Sequence, residues 1–98
     1  MSVLTRELVQ ENRAAILRVA QRYGASDVRI FGSVARGDAT ADSDLDLIVR
    51  FEPSRSLLDH GGLVMDLREL LGIRVDVIDE DAMRSRFREH VMREAIPL

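Results

Sequence analysis

A chain of 98 residues, 46% hydrophobic and 32% charged, is long enough for one core and has the composition of a globular protein rather than a disordered one. Its formal net charge of −3, from 14 basic and 17 acidic residues without a basic block, argues against general nucleic-acid binding. With no cysteine, disulfides and thiolate metal sites are excluded and a cytoplasmic location is expected; no apolar run resembles a signal peptide or a membrane span. Every basic residue is arginine, so any phosphate clamp must be a guanidinium.

Thr5 to Arg22 predicts an amphipathic helix. Leu8, Asn12, Ala15, Ile16, Val19, Ala20 and Tyr23 recur at three- and four-residue steps, with charged residues mostly opposite. Thr5 is placed to cap it and Gly24 to stop it. Val28 to Phe31 predicts a short apolar strand, ended by Gly32-Ser33, and Val34 to Arg36 begins a short helix. Such a turn leaves backbone N–H groups free for an anion. Gly32 allows close approach of a phosphate and Ser33 adds a hydroxyl donor. Gly37 to Ser43 reads as a polar loop, in which Ser43 either braces a carboxylate, contacts phosphate or simply leads into the next strand.

Asp44 to Phe51 predicts the second strand. Side chains alternate along it, so Asp44 and Asp46 share one face while Leu45, Leu47, Val49 and Phe51 take the other. Two carboxylates about 7 Å apart on one strand face repel unless a cation lies between them, and their hard oxygens suit Mg²⁺. Ser56 with Asp59 forms a capping-box pattern ahead of a helix from Leu57 to Leu71. Gly61-Gly62 marks either a bend in that helix or a place where another backbone or a ligand passes close, and His60 reads as a solitary surface histidine. Gly72 stops the helix, and Ile73 to Ile78 predicts a third strand with Asp76 on its polar face, where an acid usually discourages edge pairing. Asp79-Glu80-Asp81 reads as the cap of a last helix, Ala82 to Glu94, with Met83, Phe87 and Val91 inward and Arg84, Arg86, Arg88 and Arg93 outward. Ala95 to Leu98 could return as an edge segment.

The run Gly32-Ser33-x-x-Arg36-Gly37-x-x-x-x-x-Ser43-Asp44-x-Asp46-Leu47 resembles the signature of the nucleotidyltransferase superfamily that includes DNA polymerase beta. Its short form resembles the minimal nucleotidyltransferase (MNT) group, whose members are often antitoxins paired with HEPN-domain toxins. The resemblance implies one nucleotidyltransferase domain over residues 1–98, an α/β (α+β) fold with a small mixed β-sheet packed with helices, and transfer of a nucleoside monophosphate from a nucleoside triphosphate to a hydroxyl. It implies that Asp44, Asp46 and Asp76 are catalytic and hold two Mg²⁺ ions, Asp76 by its apolar-acid-apolar setting between Val75 and Val77. It also implies nucleotide contacts from Gly32, Ser33, Arg36 and Ser43, ATP as the donor, and a hetero-oligomer with a HEPN toxin whose tyrosine is AMPylated. Two other readings fit less well: an antitoxin that neutralises by binding alone, and a small-molecule nucleotidyltransferase of the aminoglycoside kind. The first is disfavoured by the presence of all three acids, the second by the chain's length.

Overall fold

The computed structural model describes residues 5–40 and 42–98. Along them run α1 (Arg6–Glu11), α2 (Arg13–Arg22), β1 (Ala25–Phe31), α3 (Ser33–Arg36), β2 (Leu45–Phe51), α4 (Leu57–Leu71), β3 (Val75–Asp79), a 3-10 turn (Glu80–Ala82), α5 (Ser85–Glu94) and β4 (Ile96–Pro97). Thr5 caps α1, its Oγ1 accepting from Leu8 N at 3.1 Å. The single helix expected to Arg22 is two helices. Asn12 Nδ2 donates to Leu8 O at 2.8 Å, and the backbone at Asn12 leaves the helical region with φ −99° and ψ 8°. An asparagine amide that takes a backbone carbonyl competes with the helix ladder and breaks it there.

The strand order is β3-β2-β1-β4. β1 is antiparallel to both β2 and β4, and β2 is parallel to β3 through the α4 crossover. This mixed sheet with packed helices is the α+β architecture that the resemblance implied. The C-terminal residues do return as an edge strand, Ile96 lying opposite Ile30. β1 begins three residues earlier than its apolar run, because a bulge between Ser26 and Arg29 absorbs one extra residue. Asp27 sits there with φ 51°. The extra residue sets the register beyond it: Phe31 lies opposite Asp46, where an unbulged strand would bring it opposite Leu45 and reverse the faces.

One face of the sheet carries the main core. Ile30, Leu45, Leu47, Val49, Val75 and Val77 pack there with Ile16, Ala20, Leu63 and Leu67 of α2 and α4. The capping box forms as the sequence suggests, Asp59 Oδ2 accepting from Ser56 N at 2.9 Å, and Gly72 ends α4 in the left-handed region at φ 66°. What passes close to Gly62 is neither backbone nor ligand but a side chain: a Cβ there would lie 2.5 Å from Cε1 of Tyr23, while among the described residues nothing lies within 4 Å of one on Gly61.

His60 is not a surface residue. It is half-buried against Phe51, ring centroids 5.3 Å apart, and its Nε2 lies 2.8 Å from Val77 O. A carbonyl only accepts, so Nε2 carries the proton. Arg68 Nε likewise donates to Val75 O at 3.1 Å. Leu45 N bonds to Arg74 O, so the carbonyls of Val75 and Val77, offset by one residue and by three, point away from β2. Two side chains of α4 thus cover the free edge of β3.

The opposite face is divided. At the C-terminal ends of β2 and β3, Glu80 is buried, its carboxylate accepting from Arg29 at 2.9 Å, Arg50 at 2.5 Å and Arg88 at 2.7 Å. Burial pushes its pKa up, but the hydrogen bonds and charges of Arg50 and Arg88 outweigh this and hold it below the ordinary glutamate value. Two expectations are corrected here. Glu80 does not cap the last helix, which begins at Ser85, and Arg88 faces inward because it neutralises a buried charge. Of the expected stripe, Val91 is fully buried but Phe87 is 53% exposed. Asp79 does cap, accepting from Asp81 N at 3.0 Å, but it caps the 3-10 turn.

Candidate active site

The other end of that face holds the acids. Asp46 projects from β2 directly beside Asp76 on β3, and paired residues of parallel neighbours point to the same side. Asp44 lies one residue before β2, near enough for its charge to act on Asp46. The Asp46 pKa is raised above its ordinary value, by burial first, then by the charges of Asp76 and Asp44. Arg36 draws it partly back.

Gly32 closes one side of this group. Its backbone, with φ 80° and ψ −147°, is a conformation that side chains resist. A Cβ there would lie 2.6 Å from Asp46 Oδ2, so the glycine is required both by conformation and by the space the carboxylate occupies. Ser33 is the first residue of α3 and half-buried. Arg36 ends that helix, exposed, with Nε 3.3 Å from Asp38 Oδ2. Ser43 is turned toward its own loop, its Oγ accepting from Thr40 N at 2.8 Å.

Two arginines that the sequence did not single out border the acids. Arg74 Nε lies 3.0 Å from Asp44 Oδ1, and Arg68 lies 3.7 Å from Asp76 Oδ1. Asp44 Oδ1 is shielded from solvent yet receives no hydrogen bond from the described residues, so the Arg74 contact is one of charge without an aligned N–H. The Arg74–Asp44 pair depends on the register of β2 and β3, and the Arg68–Asp76 pair on how α4 docks beside β3.

The donor set fits a hard divalent cation. Its atoms are carboxylate oxygens, and one of them, Asp44 Oδ1, is buried without a donor. Among the described residues, however, no three acid, histidine or cysteine side chains stand close enough together to enclose an ion as they lie, and Asp76 is turned toward Arg68.

The nucleotidyltransferase domain family matches residues 13–98. Protein adenylyltransferase MntA of Thermococcus cleftensis is 36% identical over 97 residues, covering 98% of each chain. A solved chain assigned as a minimal nucleotidyltransferase superposes with a TM-score of 0.89 at 52% identity over the full length of both. The fold extends to a crystallised toxin–antitoxin with AMP-PNP, with a TM-score of 0.76 at 19% identity over 88% of this chain and 71% of the other. By this near full-length kinship, and by the acid-bearing sheet edge it accompanies, the chain belongs to the nucleotidyltransferase family of enzymes, among its minimal members.

Proposed function

We propose that the domain spans residues 1–98 and moves AMP from ATP to a hydroxyl of a partner protein. The observation that carries this reading is Asp46 standing beside Asp76 on one sheet face against the Gly32 turn, with Asp44 immediately before β2. It is supported by the relative that is itself a protein adenylyltransferase. The toxin–antitoxin fold neighbour crystallised with AMP-PNP supports an antitoxin role. The cytoplasmic location, the HEPN-domain toxin as partner in a hetero-oligomer and its tyrosine as acceptor are carried over from the resemblance of the Gly32–Leu47 motif.

Asp44 and Asp46 would hold Mg²⁺, with Asp76 completing the site after turning from Arg68. The metal, when bound, supplies Lewis-acid polarisation of the phosphoryl oxygens. The acceptor oxygen forms a bond to the α-phosphorus while the bond to the β-phosphate oxygen breaks, and pyrophosphate leaves. Asp76, 56% exposed, is open to an incoming hydroxyl and would take its proton. The N–H groups at the start of α3, with the Ser33 hydroxyl, would bind the β- and γ-phosphates over Gly32. Arg36 would neutralise the departing pyrophosphate, its guanidinium suited to bidentate grip. Ser43 would act on the nucleotide only by leaving its Thr40 contact.

Incubation with labelled ATP, Mg²⁺ and the product of the neighbouring gene, taken as the toxin, tests the reading. Label should pass to the toxin, and Asp44→Asn or Asp46→Asn should lower the transfer at least ~100-fold with the fold intact. Toxin neutralised without label transfer would favour silencing by binding. Transfer by either variant near the wild-type rate would remove the metal assignment.

A further inference from the structure

The two arginines beside the acids differ in how they are held. Arg68 is tied down, its Nε donating to Val75 O at 3.1 Å while another nitrogen lies 3.7 Å from Asp76. Arg74 is loosely held. Its side chain is 71% exposed, its one hydrogen bond among the described residues is a long 3.3 Å contact with Asp42 O, and its Nε approaches Asp44 Oδ1 at 3.0 Å without aiming an N–H at it. The oxygen it covers is the buried, undonated one.

We propose that Arg74 is a displaceable counter-ion, a positioning residue that holds the Asp44 carboxylate in the metal-free protein and gives up Oδ1 to a divalent cation. The inference rests on the metal reading of Asp44 above. Three features of the pair support displacement. The guanidinium can return to water at little cost, because most of it is already there. The misaligned contact sacrifices no good hydrogen bond when it breaks. The cation that replaces it supplies the positive charge that the three neighbouring carboxylates need. Arg74 therefore lowers repulsion in the empty site and, for the same reason, competes with the metal.

The test is calorimetric titration of Mn²⁺ into the full chain without nucleotide, paired with melting curves in the absence of metal. Arg74→Gln should bind Mn²⁺ about two- to fivefold more tightly than the wild type, the range expected when an exposed ion pair no longer competes. Its metal-free melting temperature should fall, since the acids lose their counter-ion. Arg74→Lys, which keeps the charge, should return both values toward the wild type. Unchanged or weaker Mn²⁺ binding by Arg74→Gln overturns the proposal. Asp44→Asn reports separately on the metal reading: if it binds Mn²⁺ like the wild type, or if the wild type binds none, that reading falls and this one with it. If Asp44→Asn loses binding, the Arg74 variants alone decide.

Discussion

Asp46 illustrates how a single residue trades stability for chemistry. Its pKa is raised above the ordinary aspartate value of 3.8, chiefly by burial, then by Asp76 and Asp44. An acid with a raised folded pKa favours the fold when protonated, and that contribution disappears as the pH rises from the ordinary value through the folded one. At neutral pH the ionised Asp46 therefore weakens the metal-free protein. Asp46→Asn should be more stable than the wild type in urea melts near neutral pH, and the two should converge in acid below the ordinary aspartate value. A difference that persists unchanged into acid would show that the charge is not its origin. The glycines of α4 give a second residue-scale contrast. Gly61→Ala gains helix propensity into open space and should raise stability by about 0.5–1 kcal/mol. Gly62→Ala meets the Tyr23 ring, which is pinned by its hydroxyl donating to Asp66 Oδ2 at 2.6 Å, and should cost about 1–3 kcal/mol. Urea denaturation of both variants reads the opposite signs directly.

At the scale of elements, Glu80 joins β1, β2 and α5 through three arginines. Removing its charge leaves those guanidiniums facing one another. Arg50 and Arg88 are themselves 46% and 42% exposed, which lowers the cost below that of a fully buried pair. Glu80→Gln should therefore lose about 2–4 kcal/mol near neutral pH. Its folded pKa lies below the ordinary value of 4.5, so this stabilisation is present above that value and is lost as pH falls through the folded one. The variant and the wild type should approach each other in acid melts. A constant gap would place the effect in packing instead. This cluster stands at the opposite ends of β2 and β3 from the acids, so it stabilises the sheet that carries the site without entering it.

For the whole molecule, the decisive quantity is how ligand binding couples to folding. A ligand that binds only the native state raises its stability. Mg²⁺ with ATP should raise the melting temperature of the wild type, and Asp76→Asn should lose most of that rise. Asp81→Asn is the control, because Asp81 lies five residues on, beyond the end of β3, and approaches Arg50 at 3.9 Å instead of the acids. If the two variants respond alike, Asp76 lies outside the metal site. Among the described residues no helix is long and apolar enough to cross a membrane.

Much of this protein was settled locally and was therefore readable in the chain. The Thr5 cap, the Ser56–Asp59 box and the Gly72 stop involve groups within a few residues of one another. The place of Asp46 opposite the core-facing Leu45 and Leu47 follows from strand period alone, whereas Asp44 falls one residue short of β2. What the tertiary structure decided lies between elements. Asp76 stands beside Asp46 only because β2 and β3 run parallel in one register, and Gly32 reaches Asp46 only past the bulge at Asp27. Glu80 and Asp81 are neighbours in an acidic run, yet one is buried among arginines and the other exposed. Arg74 and Asp44, thirty positions apart, meet at the starts of adjacent strands. No local pattern encodes such pairs, because strand register and helix docking are settled by burial of the whole core, and charged partners take the places that packing leaves them.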